Sequence, residues 1–217
     1  MRKPPVALVR VREHVNPLSR HYDRAIEPPN WSQLFRQLDR PLHLDIGCAK
    51  GHFILAMGAQ EPTWNFLGLE IREPLVHQAN RWAEERGLEN VRYLPCNANR
   101  SIRPLLASLP PGIVQRVTIQ FPDPWFKKRH QKRRVVQPSL VKDLAEFLPL
   151  GAQVFVQSDI EEVAIEMRDR FCEHAAFRLT HSLPWLTQNP LPIPTEREKS
   201  VLDQGLPVYR ALFDRIA

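Results

Sequence analysis

The chain has 217 residues, of which 43% are hydrophobic and 25% are charged, which suits one folded domain with a full core and argues against intrinsic disorder. Its three cysteines, Cys48, Cys96 and Cys172, are far apart and show no C-x-x-C spacing, which argues against a disulfide framework or a structural zinc site. No apolar run approaches the roughly 18 residues of a membrane span, and the first residues do not resemble a signal peptide. We therefore expect a cytoplasmic protein with reduced thiols and no membrane association.

The positive charge is concentrated in one block of eight residues, Lys127–Arg134, which holds six Lys or Arg side chains. The rest of the chain carries 24 Lys plus Arg against 24 Asp plus Glu, so the formal net charge of +6 equals the charge of this block. The block could simply be a solvated loop. Its charge density is also typical of a surface that contacts a polyanion, which would make a nucleic acid the expected partner.

Residues 1–40 form a basic leader ahead of the first predicted strand. Six Lys or Arg side chains precede Pro28 in this leader: Arg2, Lys3, Arg10, Arg12, Arg20 and Arg24. A leader of this kind is commonly a solvated extension, although it can also lie over the domain or reach a partner. We expect residues 1–40 to pack on or extend a single domain formed by residues 41–217.

From Leu42 onward, short apolar runs alternate with helical patterns, as in a parallel sheet with helices on both faces. Strands are predicted at 42–46, 64–70, 91–95, 113–121, 152–157, 177–181 and 208–213. Helices are predicted at 51–59, 74–87, 138–148 and 160–173, and alternate prolines make 189–194 an extended, irregular segment. We expect a doubly wound α/β fold, with a Rossmann-like, mostly parallel sheet of about seven strands that binds ligands at the carboxyl ends of its strands.

A candidate cofactor site follows the first strand, where Asp45–Gly51 reads D-I-G-C-A-K-G. Gly47 permits a tight turn and close approach of a ligand, and Glu70 ends the second strand at the distance typical of a residue that accepts from ribose hydroxyls. Asn97 follows the third strand, where an adenine edge would lie. The G-x-G-x-x-G pattern of dinucleotide sites is absent, and a carboxylate at Asp45 would repel pyrophosphate. The same carboxylate suits the cationic amino-acid end of S-adenosylmethionine, although an ordinary glycine turn remains the simpler interpretation of this fragment alone.

A candidate acceptor site follows the fourth strand, at Phe121–Trp125, which reads F-P-D-P-W. The two prolines restrict the backbone on both sides of Asp123, so this carboxylate is held in place. Trp125 can pack under the loop or stack on a base. Without the adjacent cations, a proline turn with a buried Trp would be the better interpretation; with them, the loop suggests a site that holds a nucleic-acid base.

These residues resemble a known family. Asp45-Ile46-Gly47, Glu70, Phe121–Trp125 with its trailing cations, Ser158-Asp159 and Thr195–Glu198 are similar to motifs of the bacterial tRNA (guanine-N7)-methyltransferases, and the likeness runs in order from about Val15 nearly to the end. The resemblance implies a class I methyltransferase sheet, S-adenosylmethionine as donor and the variable-loop guanosine of tRNA as acceptor. The chain departs from the family at Asp45, where Glu is usual, at Ala49, where Gly is common, and at Asn97, where Asp is usual.

The resemblance also implies roles for individual residues. The donor site would comprise Asp45, Gly47, Glu70, Asn97 and Asp123, and the substrate would meet Lys127, Asp159, Thr195, Glu196, Arg197 and Glu198. We assign Asp123 the catalytic role, as an orienting and electrostatic group, because guanine N7 needs no general base. Phosphate contacts are expected from Lys128, Arg129, Lys132, Arg133 and Arg134. Thr195 and Glu198 also fit a helix capping box, and the eight histidines show no ligand spacing, so no metal is expected.

Other functions stay open on the sequence alone. A methyltransferase acting on another RNA position or another acceptor would share the same donor site. A D/N-P-P-aromatic loop would favour an adenine amine, and the chain has Pro-Asp-Pro-Trp instead. A non-catalytic RNA-binding protein on the same scaffold is the alternative from another class, although it would not need carboxylates at three strand ends. We predict a methyltransferase whose partner is tRNA, with no obligate protein partner.

Overall fold

The computed structural model describes residues 15–217. Its seven strands are β1 (Leu42–Ile46), β2 (Asn65–Glu70), β3 (Val91–Pro95), β4 (Val114–Gln120), β5 (Gln153–Ser158), β6 (Phe177–Leu179) and β7 (Tyr209–Arg215). Its α-helices are α1 (Trp31–Leu34), α2 (His52–Gln60), α3 (Glu73–Glu85), α4 (Ala98–Ser108), α5 (Pro138–Phe147), α6 (Glu161–Cys172) and α7 (Glu196–Asp203). Two short 3-10 segments lie at Arg20–Tyr22 and Lys128–Arg133.

All seven strands belong to one sheet, in the order β3-β2-β1-β4-β5-β7-β6. The first five strands are parallel, whereas β7 is antiparallel to both β5 and β6. The strand order reverses between β1 and β4, and the chain segments that follow these two strands therefore diverge around a crevice. The predicted doubly wound, mostly parallel fold with about seven strands is confirmed.

Helices cover both faces of the sheet because neighbouring residues of a strand point to opposite faces. On β2, Phe66 packs in a cluster with residues of α2 and α3, whereas Leu67 belongs to a cluster with residues of α4, α5 and α6. The central strand β1 is buried along its whole length, as expected for a parallel sheet covered on both sides.

Helix α4 is the longest element that the sequence patterns do not predict. Pro104 lies inside it, and a proline removes one intrahelical hydrogen bond, so this segment does not read as a helix by composition. The spacing of the apolar residues nevertheless indicates a helix, because they recur at three- and four-residue intervals. These residues, all buried, are Ile102, Leu105, Leu106 and Leu109. All the predicted helices and strands are present, with ends that differ by a few residues.

The described part of the leader contacts the domain. Trp31 and Phe35 are buried in the larger hydrophobic cluster, and the Trp31 indole donates to Ser108 Oγ at 2.9 Å. An ion pair at 2.6 Å joins Asp23 to Arg100 of α4. The leader cations at positions 2, 3, 10 and 12, and the start of the chain weighed as a signal peptide, lie outside the described residues.

Residues 15–217 lack both a membrane-spanning helix and a cluster of metal ligands. No helix in this part of the chain is long and apolar enough to cross a membrane. Within the same residues, no group of three or more His, Cys, Asp or Glu side chains is arranged to hold a metal ion.

Candidate functional site

One cleft of about 980 Å³ lies at the carboxyl ends of β1, β2, β4 and β5, where the topology predicts a ligand site. Ten of the residues assigned to the site from sequence line this cleft: Asp45, Gly47, Glu70, Asn97, Asp123, Arg133, Asp159, Thr195, Glu196 and Arg197. Their convergence follows from the sheet, because parallel strands that run side by side deliver the residues after them to one edge.

The turn from β1 into α2 is built around two glycines in the left-handed region. Gly47 has a φ of 83°, and a Cβ added there would meet no atom within 4 Å, so its backbone faces open space in the cleft. Gly51 has a φ of 78°, and a Cβ there would lie 2.4 Å from Tyr93 Cε1. The Tyr93 hydroxyl donates to the Gly51 carbonyl at 2.7 Å, so the tyrosine side chain packs against the turn and stabilises it. The turn is thus rigid, with bare backbone facing the cleft.

Asp45 is the penultimate residue of β1 and a buried carboxylate held by a chain of hydrogen bonds. Thr118, its register partner on β4, donates from Oγ1 to Asp45 Oδ1 at 2.6 Å. Because the hydroxyl proton is used there, Thr118 accepts from His43 Nε2, which lies 2.9 Å away. Burial and the charge of Arg116 lower the pKa of His43 well below its usual value, so the imidazole is neutral. Neither His43 nor Thr118 was identified from the sequence; the signal was the i, i+2 spacing that puts His43 and Asp45 on one face of a strand.

Burial raises the pKa of Asp45 to about 6, against opposing hydrogen bonds from Thr118 and Gln120 and with a further rise from the charge of Glu70. The carboxyl group is therefore ionised at neutral pH at a cost to the folded state. An ionised Asp45 is a suitable partner for a cationic group that enters the cleft and replaces the lost solvation.

We expect Asp45→Asn to make the protein more stable at pH 8, by about 2–3 kcal/mol in the free energy of unfolding. The pKa in the folded state is raised above the ordinary 3.8, so the cost of ionisation is fully present above about pH 6 and disappears towards pH 4. The Asn amide oxygen can still accept from Thr118. Urea unfolding at pH 8, 6.5 and 5 should show that the gain in the free energy of unfolding becomes smaller as the pH falls. Asp39→Asn, at an exposed residue, should show no such trend. A destabilised Asp45→Asn protein at pH 8 would contradict this account.

Glu70 ends β2 with both carboxylate oxygens already engaged by the protein. Its Oε2 accepts from the Ala49 backbone at 3.0 Å, and its Oε1 accepts from the Arg72 backbone at 2.9 Å and from Arg72 Nε at 2.8 Å. Burial lowers the pKa of Arg72, but the Glu70 hydrogen bond and the charges of Glu70 and Asp123 outweigh it, and the pKa is raised. Arg72 therefore balances two of the carboxylates in the cleft, and ribose hydroxyls would have to share or replace its contacts with Glu70.

Asn97 does more than line the cleft. Its side-chain oxygen accepts from the Asn99 backbone and begins α4, as an N-cap does. Its amide nitrogen donates to the carbonyls of Pro17 and Tyr22, at 3.0 and 3.1 Å, and so holds the leader against the cleft. An aspartate at this position could not donate these two bonds. The Asn at position 97, where the resembled family usually has Asp, therefore makes two contacts to the leader that an Asp could not make.

The loop after β4 holds Asp123 between two left-handed residues. Phe121 has a φ of 49° and Trp125 a φ of 44°, unusual values for bulky side chains that cost of order 1 kcal/mol each. The loop lines the cleft and Asp123 is half-buried there. Such backbone strain often marks a functional loop, and here it places a carboxylate at the crevice beside Asp45 and Glu70.

The basic block divides into three groups. Lys127, Lys128, Arg129 and Lys132 are exposed. Arg133 is half-buried, lines the cleft, and lies over the Trp125 ring with its guanidinium carbon 4.9 Å from the ring centroid. His130 packs edge-on against the same ring, and Trp125 itself is half-buried and lines the cleft.

Arg134 is a correction to the predicted phosphate contacts. Its side chain is 4% exposed, pairs with Glu162 at 2.8 Å and with Glu166, and donates to the Pro124 carbonyl at 2.8 Å. These ion pairs join the loop to α6, so the Arg134 guanidinium is used inside the protein and is not available to a phosphate. Its partners lie 28 and 32 residues further along the chain, which the local charge pattern cannot indicate.

Helix α7 brings the predicted substrate segment to the cleft. Thr195 caps it by accepting from the Glu198 backbone at 3.1 Å, so the Thr half of the predicted capping box is present. Glu196 pairs with His52 of α2 at 2.7 Å, and Arg197 pairs with Asp159 after β5. Donor-side and substrate-side residues are thus linked across the mouth of the cleft.

Glu198 is a second correction. Its carboxylate is 1% exposed and accepts from Arg210 and Gln157, at 2.7 and 3.1 Å, and from Asn189 at 2.7 Å. It therefore neither lines the cleft nor reaches back to complete the capping box, but fixes α7 to β5 and β7. Its effect on a substrate can only be through the position of Thr195–Arg197.

Comparisons with known proteins agree with this geometry. Residues 39–211 match the model of a family described as "Putative methyltransferase". A tRNA (guanine-N(7)-)-methyltransferase of Trichormus variabilis is 59% identical over 209 residues, 96% of this chain and 97% of that protein. A protein of the same name from Synechococcus elongatus is 60% identical over 210 residues, 97% of this chain and 98% of its own length.

Solved structures with low sequence identity share the fold. The 16S rRNA methyltransferase KamB superposes with a TM-score of 0.62 at 15% identity, over 88% of this chain and 96% of that one. TrmN from Thermus thermophilus gives a TM-score of 0.53 at 18% identity, over 85% of this chain and 48% of its own. With relatives near 60% identity along almost its whole length, the chain belongs to the tRNA (guanine-N(7)-)-methyltransferase family.

Proposed function

We propose that this protein transfers a methyl group from S-adenosylmethionine to N7 of the variable-loop guanosine in tRNA. The observation that carries the proposal is the placement of Asp45 and Asp123 in one cleft, at the strand-order reversal, with four exposed cations between Lys127 and Lys132 in the segment that follows. The names of the relatives near 60% identity support the same reaction. We also propose that the enzyme acts in the cytoplasm, on the strength of the proposed tRNA substrate.

The donor side of the cleft fits S-adenosylmethionine. The backbone at Gly47 faces open space, where any side chain would intrude, and the ionised Asp45 carboxylate suits an ammonium group. Glu70 lies at the end of the next strand, where ribose hydroxyls are bound in this fold. When bound, this cofactor supplies a methyl group on a positively charged sulfur.

Asp123 is proposed as the catalytic residue through orientation and electrostatics. Guanine N7 carries an in-plane lone pair, so no proton has to leave before the methyl group is transferred. A fixed carboxylate can accept from guanine N1–H and the exocyclic amine, and it stabilises the positive charge that spreads into the methylated ring. The prolines and the strained backbone hold Asp123 in place for this role.

The RNA surface is proposed to combine the exposed cations with the mouth of the cleft. Lys127, with Asp159, Thr195, Glu196 and Arg197, would meet the nucleoside region, and Lys128, Arg129 and Lys132 would meet phosphates. Arg133 would act from the cleft wall, where it is held against Trp125.

Replacing Lys128, Arg129 and Lys132 together by Ala is expected to weaken tRNA binding at low salt and to flatten its salt dependence. Each phosphate that loses its cation removes about 0.7–0.9 from the slope of log K against log salt, so the slope should fall by about 2–3. Filter binding from about 50 to 300 mM salt, a range in which rising ionic strength shortens the Debye length, measures this slope. The matched triple variant of Arg36, Lys142 and Arg178, exposed cations that do not line the cleft, should keep the parent slope. An unchanged slope in the first variant would put the RNA surface elsewhere.

The function is tested by incubating the protein with methyl-labelled donor and bulk tRNA, then identifying the modified nucleoside and its position by mass spectrometry. We expect 7-methylguanosine in the variable loop. A methylated adenosine or another position would favour the alternative of a different acceptor, and RNA binding with no methylation at all would favour a non-catalytic RNA-binding protein.

A further inference from the structure

Phe126 is an aromatic side chain that faces solvent at the cleft. It is 67% exposed, and it is the only aromatic residue among the exposed large apolar side chains of residues 15–217. It lines the cleft beside Asp123, and none of the ring–ring or cation–ring contacts described for this part of the chain involves it. An exposed phenyl ring forgoes the stabilisation of burial, so its place at a ligand site needs a reason.

The backbone separates Phe126 from the residue before it. Trp125 adopts a φ of 44°, and its ring contacts Arg133 and His130 of the same loop. The two neighbouring aromatics therefore have different environments: Trp125 is half-buried against Arg133 and His130, whereas Phe126 is exposed. The sequence suggested that Trp125 could stack on a base, and the structure adds Phe126 as a more exposed aromatic ring at the same cleft.

The surroundings of Phe126 indicate which chemistry it could bind. Exposed cations follow at Lys127, Lys128 and Arg129, and the carboxylate of Asp123 lies three residues before it. A flat apolar ring beside phosphate-binding cations is the arrangement by which proteins hold unpaired nucleobases. A purely apolar protein partner would not match this density of positive charge.

We propose that Phe126 is a stacking platform for an unpaired nucleobase that flanks the methylated guanosine in bound tRNA. This inference rests on the proposed function and adds a base-binding subsite outside the place of the reacting guanine. The ring holds the flanking base at the mouth of the cleft, and the adjacent guanine is thereby directed towards Asp123.

The test first measures the Kd for tRNA in the absence of S-adenosylmethionine and then the formation of 7-methylguanosine in its presence. Phe126→Ala is expected to raise the Kd for tRNA roughly 5- to 150-fold, the range for loss of one stacked base. Phe126→Trp should stay near the parent, because an indole also stacks. The slope of log K against log salt should not change in either variant, since no phosphate contact is lost. Leu150→Ala, at an exposed apolar residue outside the cleft, is the matched control and should bind as the parent does.

The stacked base itself is identified with a tRNA that lacks the base of one nucleotide flanking the target guanosine. The parent should bind this tRNA more weakly than the intact tRNA. Phe126→Ala should bind the two tRNAs with nearly equal affinity, because its substitution already removes the contact that the missing base would make. Equal tRNA binding by Phe126→Ala and the parent would overturn the inference and leave a protein partner as the ligand of this ring. If the parent forms no 7-methylguanosine in tRNA, the proposed function fails, which is a different outcome from an active parent whose Phe126→Ala variant behaves identically.

Discussion

Asp123→Ala is expected to lower the rate of tRNA methylation by about 10²–10³-fold while S-adenosylmethionine binding remains measurable. The carboxylate is proposed to hold the guanine and to stabilise charge that develops in the transition state, so its loss acts on the chemical step more than on ground-state binding. Asp45 and the Gly47 turn, which are proposed to bind the donor, are unchanged in this variant. Single-turnover rates with saturating tRNA, together with donor titration by calorimetry, measure the two effects separately.

Two further variants make this test specific. Asp123→Asn keeps the shape of the side chain and one oxygen acceptor but removes the charge, so an intermediate rate is expected if both charge and hydrogen bonding contribute. Asp39→Ala, at an exposed residue outside the cleft, should methylate at the parent rate. Parent-like turnover by Asp123→Ala would show that this carboxylate has no part in the reaction.

Glu198→Gln is expected to destabilise the protein by about 3–5 kcal/mol, or to lower the Tm by about 6–20 °C. Four donor groups, from Arg210, Gln157 and Asn189, point at the two Glu198 oxygens. An amide replaces one oxygen with a donor and leaves the Arg210 guanidinium buried without its counter-charge. Urea or thermal unfolding measures the loss, and methylation should fall as well, because Thr195–Arg197 are carried by the helix that Glu198 anchors.

An exposed ion pair supplies the control for this prediction. Glu89 pairs with Arg36 at 3.3 Å, and both side chains are largely exposed. Glu89→Gln should therefore change the free energy of unfolding by less than about 1 kcal/mol. The double change of Glu198 and Arg210 to Leu should recover part of the lost stability, since no buried charge is then left alone. A Glu198→Gln protein as stable as the Glu89→Gln control would contradict the anchoring role.

The fold and the location of the site could be predicted because they depend on repeated, local signals. Alternating apolar runs and helical patterns define the parallel sheet, and its topology brings Asp45, Glu70 and Asp123 to one edge. Helix α4 was missed because Pro104 masks a helical pattern that the apolar residues still carry.

The roles of individual side chains depend on partners distant in sequence, and these were predicted less well. Arg133 and Arg134 are adjacent cations, yet one covers Trp125 while the other is buried against α6. Glu198 reads as half of a capping box, but Arg210 on β7 makes it an internal anchor. Trp125 is half-buried and Phe126 is exposed, and the left-handed backbone between β4 and the basic block is not indicated by any pattern in the sequence.

The central claim is that this cleft directs a methyl group to N7 of one guanosine in tRNA. Its most direct test compares two forms of one tRNA. The first has guanosine at the variable-loop target position, and the second has 7-deazaguanosine there, with carbon in place of N7. We expect stoichiometric methyl transfer to the first tRNA and none to the second, with equal binding of both. Transfer to the 7-deaza tRNA, or no transfer to either, would contradict the account.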